Sequence, residues 1–189
     1  MPYTIIQPPL TLKFREMSKS ELNDYFGWFL EVLPQRIKEL ASAVEESEPF
    51  ENWHPDLAPT SLMSLGDWFV TQIQLRQRTG EEVQHIMSRV PYPIEIRNQE
   101  LTDRTVSLAV DIGMYFGQVL IRNHPSLRWT QPLNDKRFAD FGHAVLVNFG
   151  AVPLNPVRTA VTFAYGIADG RQTGNRLREL YDYWSSRVR

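Results

Sequence analysis

The sequence predicts a mostly helical α+β fold, a single globular domain over residues 1–189 with a small antiparallel sheet packed on a central buried helix. The 189 residues are 42% hydrophobic and 22% charged, which is ordinary for one domain with a substantial core. Apolar residues recur at helical spacing through several segments, whereas the alternation typical of strands is confined to short ones. Residues 105–121 are apolar almost all round, which indicates a helix surrounded by the rest of the fold.

The first segment, residues 3–14, mixes apolar residues with prolines and predicts an extended strand at a sheet edge. Leu10, Leu12 and Phe14 alternate there with polar residues, as they do in a half-buried strand.

A first helix is predicted from Ser18 to about Glu46. Ser18 and Glu21 have the spacing of a capping box, in which each side chain accepts a hydrogen bond from the other residue's backbone N–H. Pro34 has no backbone donor, so we expect it to kink or split this helix.

Two further helices are predicted in the next part of the chain. One begins near Ser61, and a capping box of Thr79 and Glu82 opens a short one. The Pro-Tyr-Pro sequence at 91–93 ends the short helix, and residues 94–97 are predicted as a brief strand.

The central helix is predicted to begin after a Thr102 cap and to end at His124, which precedes a proline. The apolar residues at 119–121 fit a strand equally well. The sequence therefore leaves open whether residues 117–123 continue the helix.

Three small residues at four-residue spacing, Ala109, Gly113 and Gly117, lie on one face of the central helix. They predict a groove without side chains, in which another backbone can come close. We expect a neighbouring helix, or the strand that contains Trp129, to occupy this groove.

The C-terminal part of the chain predicts two strands followed by two helices. The strands cover residues 127–131 and 144–149. Asn155 precedes a proline at the first position of the next helix, where proline is tolerated, and that helix ends at 169–170. The last helix carries its apolar face on Leu177, Leu180, Tyr181 and Trp184.

Composition predicts a cytoplasmic protein without a membrane partner. The sequence has no cysteine, no apolar run of the roughly 20 residues that span a bilayer, and no recognisable signal peptide. We therefore expect no disulfide and no thiolate chemistry.

The net charge of −2 is unevenly distributed. Residues 1–60 carry 5 basic and 10 acidic side chains, and residues 121–189 carry 10 and 5. We favour electrostatic attraction between these two parts within the fold; an anion-binding C-terminal face is the alternative. No nucleic-acid partner is predicted, because nucleic-acid-binding domains have a stronger basic excess.

The sequence predicts no cofactor and no metal. It contains no P-loop, no dinucleotide-binding glycine motif and no Gly-x-Ser-x-Gly nucleophile motif. The histidines at 54, 85, 124 and 143 never occur four residues apart, which excludes the usual helical zinc pair. A loop site built from His54 and Asp56 is a weaker alternative to a surface histidine.

Asp111 is the one candidate catalytic residue, because it interrupts the apolar central helix. A carboxylate in a buried helix requires a cation or several donors, and Arg122, Arg128 and Arg158 are the candidate partners. We favour a structural ion pair. The alternative is an acid–base carboxylate in a pocket, with a raised pKa.

Aromatic residues suggest a partner-binding surface. Tyr25, Phe26, Trp28 and Phe29 follow one another so closely that they cannot all face one core. Trp28 and Trp53 are therefore candidate anchors for a protein partner, since Trp is enriched at binding hot spots. The competing interpretation, which we favour, is that both residues cover gaps in the core under the polar loop at 45–55.

Several segments resemble a family of uncharacterised bacterial proteins of similar length. The resemblance lies in residues 13–18 leading into 25–29, then in 111–117 and 121–123 together with Trp129. These are packing motifs, and the family implies no activity and no catalytic residues. The chain is also similar in type to bacterial immunity proteins, which neutralise toxins.

Two functional hypotheses follow. The first is a non-enzymatic bacterial interaction protein, immunity-like, that binds a protein partner through an aromatic and acidic surface in its N-terminal half. The second is a hydrolase or transferase that uses Asp111 with nearby arginine and histidine side chains. The second requires that these groups meet in a cleft.

Overall fold

A computed structural model describes residues 3–10, 12–89 and 96–189 of the chain. Its helices are α1 (Lys19–Glu45), α2 (Ser61–Gln72), α3 (Gly80–Ser88), α4 (Asp103–Asn123), α5 (Pro156–Ala168) and α6 (Asn175–Ser185). Its strands are β1 (Leu75–Gln77), β2 (Gln99–Leu101), β3 (Arg128–Thr130) and β4 (Val145–Val147). The predicted α+β class with a helical majority is confirmed.

The helix starts follow the capping chemistry that the sequence predicts. At α1, the Glu21 N–H donates to Ser18 Oγ and the Ser18 N–H donates to Glu21 Oε2, over 3.3 and 2.7 Å. Thr79 and Glu82 form the same box at α3. Pro34 lies inside α1, which is continuous from Lys19 to Glu45, so the helix is not split there.

The predicted N-terminal strand is not formed by residues 3–10 and 12–14. Leu12 has a φ of 55°, in the left-handed region, which breaks the alternating direction of side chains that a strand requires. Phe14 is buried, but it reaches the core from a turn.

The strands form two separate antiparallel pairs where the sequence predicts one small sheet. β3 and β4 lie within the strands predicted at 127–131 and 144–149, and they pair with Trp129 opposite Leu146. β1 and β2 pair with Arg76 opposite Glu100, and β1 lies where the sequence predicts no strand. The breaker at 91–93 and the first two residues of the strand predicted at 94–97 lie outside the described residues. Residues 96 and 97 form no strand, and β2 begins only at Gln99.

α4 is the central helix, and it continues as a helix to Asn123. A Cβ atom on Gly113 would lie 2.6 Å from the Val157 Cα and 2.9 Å from the Pro156 carbonyl oxygen, so α5 crosses α4 at this glycine. A Cβ on Gly117 would collide with the Trp129 ring. The groove is confirmed, and both predicted neighbours occupy it.

Two clusters of buried apolar residues meet along α4. The larger joins α2, α4, α5 and α6, and includes Ile112. The smaller lies between α1, Phe14 and the segment around Phe141, and includes Met114. Within the described part of the chain, no helix combines the length and apolar character needed to cross a membrane.

We expect Gly113→Ala to destabilise the fold by at least about 2 kcal/mol, since the added methyl group meets backbone atoms that cannot rotate away. Gly113→Leu should prevent folding rather than remove an activity selectively. Gly27→Ala is the matched control: it should stabilise α1 by about 0.5–1 kcal/mol, because nothing lies within 4 Å of its Cβ position. Urea denaturation measures both changes, and a stable, native Gly113→Leu variant would contradict this account.

Candidate functional site

Asp111 forms a buried ion pair with Arg36 of α1. Arg36 Nε donates to Asp111 Oδ1 over 2.8 Å, and Arg36 Nη2 donates to Asp111 Oδ2 over 2.7 Å. This is the bidentate geometry of the strongest arginine–carboxylate pairs. Asp111 has no solvent exposure and Arg36 is 7% exposed.

The N-terminal segment closes over this ion pair. The Tyr3 hydroxyl accepts a hydrogen bond from Arg36 Nη2 over 2.8 Å and donates a short one to Asp111 Oδ2. Ser107, one turn before Asp111 on α4, lies 2.8 Å from the same hydroxyl and accepts from the Ile6 N–H. The segment is thus attached to α4 by side-chain hydrogen bonds instead of strand pairing.

Asp111 is therefore held in a structural ion pair, the arrangement that the sequence analysis favours. Its carboxylate is enclosed by the side chains of Arg36 and Tyr3. The predicted partners Arg122, Arg128 and Arg158 are wrong, since Arg36 is the partner. The catalytic hypothesis requires these arginines to meet Asp111 in a cleft, and none of the three pairs with it within the described chain.

Sequence reasoning missed Arg36, although the sequence contains a signal for it. Arg36 follows Leu33 by three residues and precedes Leu40 by four, and both leucines are buried. An arginine at that spacing on an apolar helix face predicts a buried cation that needs an anion. Asp111 supplies it.

Burial raises the pKa of Asp111 to about 6, because the neutral carboxyl group loses less solvation than the charged one. The hydrogen bonds and charge of Arg36 oppose this rise, and at neutral pH the carboxylate is ionised. Burial and the neighbouring Asp111 carboxylate raise the pKa of Tyr3. Tyr3 therefore stays a neutral donor to Asp111.

The histidines do not assemble a site within the described chain. His54 pairs with Glu45 over 3.3 Å on the surface, His124 hydrogen-bonds Ser185, and His143 packs its ring 4.1 Å from that of Phe14. Among the described residues, no group of three or more histidine and carboxylate side chains is placed to hold a metal ion.

Trp53 lies in the core. It is 6% exposed, its indole N–H donates to the Ser61 carbonyl oxygen over 3.0 Å, and its ring meets Tyr115 edge-on. The expectation that Trp53 belongs to an exposed aromatic surface is not met. The alternative that it fills the core under the loop after α1 is correct.

Trp28 on α1 is partly buried and packs against the smaller apolar cluster, with the rest of its side chain exposed. Its ring lies 5.9 Å from that of Tyr25, and its neighbours on the exposed face are Asp24, four residues before it, and Glu31, three residues after it. Neither carboxylate forms an ion pair with another described residue. We call Asp24, Gly27, Trp28 and Glu31 the Trp28 surface.

Gly27 leaves a notch in the Trp28 surface, and sequence reasoning missed it. It is exposed in the middle of a long helix, and nothing lies within 4 Å of the position that a Cβ would take. Glycine costs a helix interior about 1 kcal/mol relative to alanine. Packing among the described residues gives no reason for this cost.

Comparison of the chain with protein-family models, curated proteins and solved structures gives no significant match. Functional inference therefore rests on the geometry of the chain itself.

Replacing one partner of the buried ion pair should lower the free energy of unfolding far more than replacing both partners together. We expect Arg36→Met to destabilise the fold by about 3–5 kcal/mol, because it leaves the Asp111 carboxylate buried without a cation. The double variant Arg36→Met, Asp111→Leu should recover most of this loss. Chemical denaturation of the single and double variants measures the coupling, and a double variant no more stable than Arg36→Met would contradict it.

The Asp111 carboxyl should also give stability a particular pH dependence. Its folded-state pKa of about 6 lies above its ordinary value of 3.8, so the folded state holds the proton more tightly. The resulting stabilisation is fully present below pH 3.8 and is lost as pH rises to about 6. Relative to Asp111→Asn, the wild-type free energy of unfolding should fall across this range. A relative free energy that rises would show that Arg36 dominates the pKa.

Proposed function

We propose that this chain is a non-enzymatic interaction protein of the bacterial cytoplasm, immunity-like in type, that binds a basic protein partner through the Trp28 surface. The observation that carries the proposal is the open glycine beside a partly exposed tryptophan, between two carboxylates that lack a cation. Within the described chain, the glycine destabilises the helix and the two carboxylates form no ion pair. A bound partner could contact the glycine backbone, cover the exposed part of the tryptophan and pair with the carboxylates.

The Trp28 surface has the components of a binding hot spot. A tryptophan already ordered by a neighbouring ring loses little conformational freedom on binding and buries a large apolar area. The notch at Gly27 lets a partner side chain or backbone approach the α1 backbone. Trp53 takes no part in this surface.

Charge selects the class of partner. Asp24 and Glu31 flank Trp28 along the helix, and residues 1–60 carry a net charge of −5. A negative surface attracts a positive one over a Debye length and disfavours acidic partners. A toxin with a basic surface is the partner class that fits an immunity-like role.

Site-specific photo-crosslinking in lysate of the native cell tests the proposal. A photoreactive residue at Gln35, which shares the exposed face of Trp28, should yield an adduct with one predominant basic protein. The same residue at Met63, 46% exposed on α2, is the control position and should not. Adducts of equal yield and identity from both positions would contradict the proposal.

Two variants separate binding from folding. Trp28→Ala and Gly27→Leu should each reduce the Gln35 adduct at least about tenfold, since one removes the anchor and the other fills the notch. Gly27→Leu should at the same time raise the melting temperature, because leucine is the better helix former and the site is open. A stabilised Gly27→Leu variant that crosslinks as wild type does would overturn the assignment of this surface.

A further inference from the structure

The two oppositely charged parts of the sequence form no ion pairs with each other among the described residues. No salt bridge joins residues 1–60 to residues 121–189 there. Instead, each acidic residue of the C-terminal part is paired with an arginine outside the N-terminal part. The pairs are Asp135 with Arg137, Asp140 with Arg158, Asp169 with Arg97 and Arg171, Glu179 with Arg176, and Asp182 with Arg178.

The excess positive charge therefore resides on the remaining basic residues. Four of these are the exposed arginines Arg122, Arg128, Arg187 and Arg189, and none has a carboxylate partner among the described residues. The unpaired positive charge of residues 121–189 is thus available to bind an anionic ligand.

These four arginines lie on elements that meet at one end of the molecule. α4 and α6 end together there, where His124 hydrogen-bonds Ser185. The Arg189 N–H donates to the Asn148 carbonyl oxygen over 3.0 Å, and the Asn148 amide donates to the Ser126 carbonyl oxygen. Arg128 starts β3 opposite Val147, the residue before Asn148.

A groove of about 490 Å³ opens at this end between the last turn of α6 and the loop at 149–152. Its apolar side includes Phe149, Trp184 and Val152, of which Val152 is 62% exposed. Its rim carries Tyr183, 51% exposed, with the Arg187 guanidinium carbon 4.0 Å from the centre of the Tyr183 ring. We call this site the Tyr183 groove.

We propose that the Tyr183 groove is a second docking site, which binds an acidic polypeptide segment with apolar side chains between its carboxylates. Arg187 and Arg189, the two of these arginines that line the groove, match the carboxylates by charge, and arginine recognises carboxylates through paired N–H donors. The exposed valine and the aromatic rings take the apolar side chains. Tyr and Arg are the residue types that anchor such interfaces.

An acidic polypeptide fits this site better than a nucleic acid does. A phosphate backbone requires a basic surface that continues along it, whereas this chain has a net charge of −2 and a strongly acidic N-terminal part. The apolar side chains of the groove form neither ion pairs nor hydrogen bonds with phosphate groups. This site differs in charge and in partner from the Trp28 surface and does not depend on it.

Fluorescence anisotropy with a labelled peptide tests the proposal. The probe is a dodecapeptide of glutamates with two leucines and one phenylalanine, and its control replaces every glutamate by glutamine. The acidic peptide should bind the folded chain at about 50 mM salt at least tenfold more tightly than its control, and more weakly as salt rises. Equal binding of the two peptides would overturn the proposal.

Variants locate the binding. Arg187→Glu and Val152→Asp should each weaken binding of the acidic peptide at least about tenfold, while Lys38→Glu on α1, which changes the net charge as Arg187→Glu does, should change it less than about twofold. Thermal melting verifies that the variants fold. Unchanged binding to Arg187→Glu, or tighter binding of a thymidine oligonucleotide than of the acidic peptide, would overturn the assignment.

Discussion

The ion pair between Arg36 and Asp111 is the interaction on which the rest of the structure depends. It joins α1 to the central helix α4 at the level where the two apolar clusters meet: Leu33 belongs to one cluster and Leu40 to the other, with Arg36 between them. Two charges at that position cannot be solvated, so the only low-energy arrangement is the one in which they meet. The pair thereby sets the rotation and axial position of α1 against α4.

The same pair orders the start of the described chain. Tyr3 spans both charged partners with one hydroxyl, and Ser107 holds the backbone at Ile6. The N-terminal segment forms no strand, and hydrogen bonds to the buried ion pair and to Ser107 hold it against α4. Both oxygens of the Asp111 carboxylate thus accept hydrogen bonds from within the fold.

Glycine has opposite uses in the two long helices. Gly113 and Gly117 on α4 are required by space, since backbone of α5 and the ring of Trp129 occupy the positions of their absent side chains. Gly27 on α1 has open space beside it and weakens the helix. The first two glycines belong to the interior of the fold, and Gly27 belongs to the surface that we propose a partner covers.

The sequence by itself determined most of the local structure. Capping boxes at Ser18 and Thr79, the Thr102 cap, and the proline after Asn155 fixed helix starts, because these signals act through hydrogen bonds within one turn. The small residues of α4 predicted the close approach of a neighbouring helix or of the Trp129 strand, and the crowding of aromatic residues along α1 indicated Trp28 as a candidate. All of this information lies within a few residues of each feature.

Only the tertiary structure decided which distant residues meet. It paired Asp111 with Arg36 across 75 positions, placed Trp53 in the core, and left Arg187 and its neighbours without carboxylates. This sequence contains 16 arginines of equal charge, so charge alone cannot identify which of them pairs with Asp111. Selection depends on helix packing, which brings one guanidinium within hydrogen-bond distance of a buried carboxylate and leaves others in water.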